Sequence, residues 1–212
     1  IIELTQRDDY SVRSGLVDDA AQYFSKELVS NLIETFQKLV SNEKNEYKKQ
    51  HHVLIKSLAR QVKDAKLFEK TRILLSQELS TASMIDIAKV YLESGDAEVA
   101  YSWLKKISKV ESSYQYKMDE LLIETYKKLG ESEKLHQLRY KKFREHHSIK
   151  SLDALLDQIG HNKRDEVITL EVAHILKTDK LCWSDVDFLI AIHKIDEAEQ
   201  YLLQRAEQFN GN

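Results

Sequence analysis

The 212-residue chain contains no proline, five glycines and one cysteine. Proline interrupts helix interiors and punctuates loops, so a chain without it can run helix after helix through short turns. The scattered glycines form no phosphate loop, no Gly-x-Gly-x-x-Gly run and no Gly-x-Ser-x-Gly elbow. A lone Cys182 cannot close an internal disulfide, which fits a reducing, cytoplasmic compartment. No apolar run approaches the roughly 18 residues of a membrane span, so no membrane partner is expected. The N-terminal residues carry no signal-peptide pattern. The opening at Ile1 rather than Met is read as that of a piece of a longer protein.

What is abundant points to helix. Leu, Glu, Lys, Ala, Gln and Ile dominate, and most of them are good helix formers. The 32 basic and 35 acidic residues leave a net charge of −3, a mixed surface with no global bias toward nucleic acid or membrane. Apolar periodicity predicts about twelve helices, over 10–23, 26–41, 45–63, 65–79, 83–94, 97–109, 114–129, 132–146, 149–159, 165–177, 184–193 and 195–209. Ser25, Ser148 and Ser184 stand where N-caps are wanted. Gly95, Gly130 and Gly160 each follow an apolar helical stretch, at the place of a left-handed C′ residue.

Helix-turn-helix units recur. The clearest runs from Ile87 to Leu104 and carries small residues at Ala88, Gly95 and Ala100, where paired helices must approach closely. A second runs from Leu122 through Gly130 to Leu135. Gly130 follows Gly95 by 35 residues, Gly160 follows by 30 more, and a further turn is expected near His193. Tyr91 and Tyr126 each stand four residues before a turn glycine, which suits packing between repeats. A period near 34 is that of tetratricopeptide arrays. The expected architecture is an all-α superhelix of about six antiparallel helix pairs, forming one domain over 1–212. Ala88, Leu92, Ala100 and Leu104 are expected to be buried between the helices of one pair.

The run Tyr140-Lys141-Lys142-Phe143-Arg144-Glu145-His146-His147-Ser148-Ile149-Lys150-Ser151-Leu152 resembles a pattern in a bacterial family known only as a domain of unknown function. There a basic-aromatic helix ends and a Ser-x-x-x-Leu start opens the next. Asp9-Tyr10-Ser11-Val12-Arg13, the 87–107 unit and the closing Ala198–Ala206 segment are similar to the same family. The resemblance implies a tetratricopeptide-like helical fold and no established activity. Some of its relatives accompany zinc-finger segments, an association that a chain with one cysteine does not carry.

No catalytic, cofactor or metal site is expected. His51-His52 and His146-His147 are adjacent pairs whose side chains diverge by about 100° on a helix, whereas helical metal ligands prefer spacings of three or four. All four histidines are expected at exposed or boundary positions. Cys182 precedes a candidate cap, Ser184, but no histidine or asparagine is placed by motif to complete a catalytic pair, and a packed thiol is the plainer reading. Asp8-Asp9 and Asp18-Asp19 read as solvated charge near helix starts.

Charge is segmented along the chain. Residues 44–72 net +6, residues 127–150 net +5, and residues 151–212 net −6. Lys49, Lys56, Arg60 and Lys63 recur at spacings that can line one helix face. In the second segment Lys134, Lys141 and Lys142 interleave with Tyr140 and Phe143, an arrangement that base stacking could use. Lys89, Tyr116, Lys117 and Lys128 complete the set expected to face a partner from the first helices of each pair. The expectation is a scaffold that binds a protein or peptide. The alternative is a nucleic-acid-associated accessory protein that uses the basic segments 44–72 and 127–150.

Overall fold

The computed structural model describes residues 15–42, 48–76 and 78–210. The run Asp9–Arg13, the pair Asp8-Asp9, and Lys44 and Glu46 of the first basic segment lie outside these residues. Among the described residues there are helices and no strand. In order they are α1 Gly15–Asp18, α2 Ala20–Tyr23, α3 Lys26–Asn42, α4 Lys48–Gln61, α5 Ala65–Leu75, α6 Thr81–Ser94, α7 Ala97–Lys105, α8 Ser112–Leu129, α9 Ser132–Glu145, α10 Ile149–Ile159, α11 Arg164–Lys177, α12 Trp183–Ala191 and α13 Ile195–Leu203. Short 3-10 turns cover His161–Lys163 and Ala206–Asn210. No described helix is long and apolar enough to cross a membrane.

Capping accounts for most boundaries. The side chains of Ser25, Asp64, Ser80, Asp96 and Ser148 accept from the backbone N–H three residues on, satisfying donors that the first helical turn leaves open. Ser148 and Ser151 form a reciprocal capping box, with serine where glutamate is usual. The cap expected at Ser184 is displaced. The helix starts one turn-position earlier, at Trp183, with Cys182 as the flanking residue.

Helix ends share one device. At Gly95, the N–H of Gly95 bonds the Leu92 carbonyl and that of Asp96 bonds the Tyr91 carbonyl, a Schellman closure with φ +97° at glycine. The same pair of bonds closes α4, with Lys63 at φ +61°, and α12, with His193 at φ +61°. Gly130 and Gly160 also have positive φ. The turns expected at Gly95, Gly130, Gly160 and His193 are therefore present. Lys63 is a further member of the series that carries no glycine to mark it.

The chain divides into two compact units, at Leu129 and Gly130. In the first, one cluster joins Val17, Val29, Phe36, Leu54 and Leu58 of α1, α3 and α4. A second joins α5 to α8 around Phe68, Ile87, Leu92, Ala100, Trp103 and Leu104. Ala88 and Ala100 are completely buried and Leu92 and Leu104 nearly so, as the small-residue spacing requires. In the second unit a single cluster joins Phe143, Leu152, Leu155, Leu156, Ile175, Phe188, Leu189 and Tyr201.

Candidate functional site

The Tyr140–Leu152 run builds a buried polar network in the second unit. Tyr140 and Arg144 share a stripe of α9, four residues apart, and His147 follows at the start of the loop into α10. All three converge on Glu171 of α11, whose side chain is fully buried. The Tyr140 hydroxyl donates a short hydrogen bond to Glu171 Oε1. Arg144 donates from Nη2 to Oε1 at 2.9 Å and from Nε to Oε1 and Oε2 at 3.1 and 3.2 Å. His147 Nε2 lies 3.4 Å from Oε2. Its other nitrogen, Nδ1, lies 2.7 Å from Asp185 Oδ1 on α12. The Tyr201 hydroxyl accepts from the Cys182 N–H at 2.9 Å and shares its proton between Asp185 Oδ2 and the Lys180 carbonyl.

The electrostatics follow from this enclosure. Burial alone would push the His147 ring toward neutrality, but its bonds to Asp185 and Glu171 outweigh burial and raise its pKa to about 9. The ring is therefore a cation at neutral pH, and both nitrogens donate. Burial would likewise raise Glu171, yet the donors His147, Arg144 and Tyr140 hold it at about 2. Burial and the Glu171 bond push Tyr140 up, and burial raises Tyr201. Phe143 and Phe188 wall the imidazole, with ring centroids 5.0 and 5.4 Å away. Arg205 closes the far side. Its guanidinium lies 3.9 Å from the Tyr201 ring centre and donates to the Thr178 and Leu176 carbonyls at the end of α11.

Two expectations for histidine are corrected here. His147 is 4% exposed and His51 2% exposed, not surface or boundary residues. His51 sits on α4 against Phe36, and His147, in the loop after α9, is packed against Phe143 and Phe188, so packing overrides the polar character of each ring. His146 is exposed, and His52 is half-buried with Nδ1 2.6 Å from the Lys48 carbonyl. Cys182 is half-buried, with its Sγ 3.1 Å from Ser184 Oγ. Among the described residues no cluster of three or more His, Cys, Asp or Glu is arranged to hold a metal.

The residues singled out for a partner are placed as follows. Lys49 and Lys63 are exposed, but Lys63 is the left-handed residue beyond the end of α4. Lys56 is half-buried, and its pKa is lowered by burial and by neighbouring Arg72. Arg60 is held in an ion pair with Asp86 and lies 4.8 Å from the Phe68 ring centre. Lys89 pairs with Glu93 at 3.6 Å, and Lys128 donates to the Leu92 carbonyl at 3.0 Å. Tyr116 and Lys117 are exposed on α8. In the second basic segment Lys134 pairs with Glu131 and Lys141 with Glu145.

A site without any sequence flag lies on α12 and α13. Val186 and Ala198 form the floor of an open apolar groove of about 430 Å³, and Ile190, Ile195, Leu202 and Leu203 wall it. Ile190, Ile195 and Leu203 are 49, 55 and 68% exposed. Trp183, 59% exposed, lies one helical turn before Val186 and Asp187. The signal in the sequence was the apolar recurrence Val186–Ile190 and Ile195–Ala198–Leu202, which reads equally well as core.

Fold and site together define an all-helical protein of short, capped, pairwise-packed helices whose second unit is pinned by a buried ionic network. The chain belongs to a family of unknown function, DUF6880, whose model matches residues 30–212. The Tyr140–Leu152 and Ala198–Ala206 runs lie within the matched region. No curated protein and no solved structure matches the chain.

Proposed function

We propose that this chain is a protein-interaction module that binds through the apolar groove of α12 and α13. The observation that carries this reading is the exposure of Ile190, Ile195 and Leu203 along one apolar groove. Three large aliphatic side chains about half exposed or more, converging on one depression, cost solvation free energy that a partner removes. The finer architecture, tetratricopeptide-like pairs stacked as a superhelix, belongs to the same proposal. It is supported by left-handed turns at Lys63, Gly95, Gly130, Gly160 and His193.

An enzymatic role finds little support in the His147–Glu171–Asp185 cluster. His147 is already protonated at neutral pH, and both its nitrogens are engaged by carboxylates. A general base needs a free lone pair within reach of substrate. The nucleic-acid reading is weakened by the pairing of Arg60, Lys89, Lys134, Lys141 and Arg144 with carboxylates.

The test is an affinity capture with the purified chain as bait, run beside the variant Ile190→Asp/Leu203→Asp. The reading expects a stoichiometric protein retained by the parent and lost by the variant. Equal retention by both would remove the groove from the account.

A further inference from the structure

The groove's surroundings say what kind of partner it fits. Residues 183–203 carry five acids, Asp185, Asp187, Asp196, Glu197 and Glu199, against one base, Lys194. Asp185 is consumed by His147 and Tyr201, and Lys194 is paired with Glu197 at 3.1 Å. Asp187 on α12 and Glu199 on α13 are exposed and make no ion pair among the described residues. Asp187 is one helical turn from Trp183 and from Ile190, and Glu199 lies between Ile195 and Leu203 on one stripe. Glu199 therefore lines the apolar groove itself, and Asp187 stands one helical turn from its wall residue Ile190.

We infer that the α12–α13 groove takes an amphipathic helix whose apolar stripe is flanked by lysine or arginine. This rests on the proposed role as an interaction module and specifies its partner. The apolar floor and walls suit side chains at i, i+3, i+4 and i+7 of an incoming helix, the usual helix-in-groove contact. Asp187 and Glu199 then meet basic flanks, and their placement on opposite helices brackets the ligand from both sides. A second copy of this chain offering the same groove would bring acid against acid, which disfavours two-fold self-docking. Trp183 at the end of the stripe is positioned as an aromatic anchor.

The experiment uses the full chain and three labelled peptides of about 18 residues. One is an amphipathic Leu/Lys helix, the second has glutamate in place of lysine, and the third is the Leu/Lys composition scrambled. Binding is read by fluorescence anisotropy of the peptide label. The Leu/Lys helix should saturate, with affinity at least about ten-fold above both other peptides and falling as salt rises. Ile190→Asp/Leu203→Asp should abolish the difference between the ordered and scrambled peptides. Asp187→Lys/Glu199→Lys should invert the preference toward the Glu peptide. Both variants change exposed positions, and circular dichroism of each checks that the helices persist. Equal, saturable, Ile190- and Leu203-dependent binding of the Lys and Glu helices would overturn the charge preference while leaving the groove as a docking site. No saturable binding of either helix, or concentration-dependent dimerisation lost in Ile190→Asp/Leu203→Asp, would overturn the inference outright.

Discussion

His147 Nδ1 lies 2.7 Å from Asp185 Oδ1, a contact that joins the start of the α10 loop to the first turn of α12. With Glu171 on the other ring nitrogen, one buried imidazolium ties α9, α11 and α12 together. A buried ionic network of this kind is costly to assemble and more costly to break, because removing one partner leaves the others charged and unpaired.

The first expectation follows directly. Glu171→Gln keeps the shape of the side chain and removes the charge that Arg144 and His147 face. Unfolding in urea should show a loss on the order of 3–5 kcal/mol. A loss under about 1 kcal/mol would mean that solvent already compensates these charges.

The pH dependence has a definite sign on each limb. Glu171 titrates at about 2 in the folded chain and near 4.5 when unfolded, so its contribution is complete above 4.5 and is lost as pH falls toward 2. His147 titrates at about 9 when folded and near 6.5 when unfolded. Its contribution is complete below 6.5 and disappears as pH rises through 9. The urea midpoint should therefore be highest between about pH 4.5 and 6.5 and lower at 3 and 9.5. His147→Asn should flatten the alkaline limb, and an unchanged limb would assign it to other groups.

Packing of α6 on α7 gives a third expectation. Ala88 and Ala100 have no exposed surface, so a larger side chain has nowhere to go. Ala100→Leu should cost on the order of 1–3 kcal/mol, read as a fall in melting temperature. Retention of the parent melting temperature would place Ala100 outside the interface.

The turn residues separate backbone strain from steric clash. A Cβ at Gly95 would meet no atom within 4 Å, so Gly95→Ala tests φ +97° alone and should cost about 1–2 kcal/mol. His193 has φ +61° without being glycine. His193→Gly should leave stability within about 1 kcal/mol of the parent or raise it, since relief of strain offsets the added freedom of the unfolded chain. A large loss there would reveal a role for the imidazole beyond the backbone.

The basic face behaves differently from a bare stripe. Arg60→Glu places a carboxylate against Asp86 and removes the contact with Phe68, so it should destabilise the first unit. Lys49→Glu and Lys63→Glu change exposed charges and should stay within about 0.5 kcal/mol of the parent. A thermal-shift series on the three variants checks the contrast, and equal shifts would contradict it.

Local features of the fold were legible because local chemistry sets them. Serine caps, the glycines of α6, α8 and α10, and the small residues of the 87–104 unit each act within a few residues of their own position. Cys182 in place of Ser184 shifted one boundary, because a residue can flank a helix start without its side chain accepting a capping hydrogen bond. The buried network was not legible from the histidine pair, because its partners lie 24 and 38 residues further on. A signal did exist in the acids. Glu171 interrupts the stripe Val167–Glu171–Ile175, spaced by four, and Asp185 stands four residues before the buried Leu189. An acid on an apolar stripe demands a cation, which the buried His147 supplies, with the more exposed Arg144 reaching in to Glu171 from the surface. The groove escaped notice for the opposite reason, since exposed aliphatics at helical spacing look the same as core.

The most direct measurement is site-specific photocrosslinking with a benzophenone side chain placed at Leu203 in one preparation and at Lys117 in another. Both positions are exposed, one on the α13 groove and one on α8. The expected result is a discrete protein adduct from Leu203, suppressed by an amphipathic Leu/Lys helix added in excess, and none from Lys117. Adducts formed only from Lys117, or none from Leu203 with a partner demonstrably bound, would contradict the groove as the binding face.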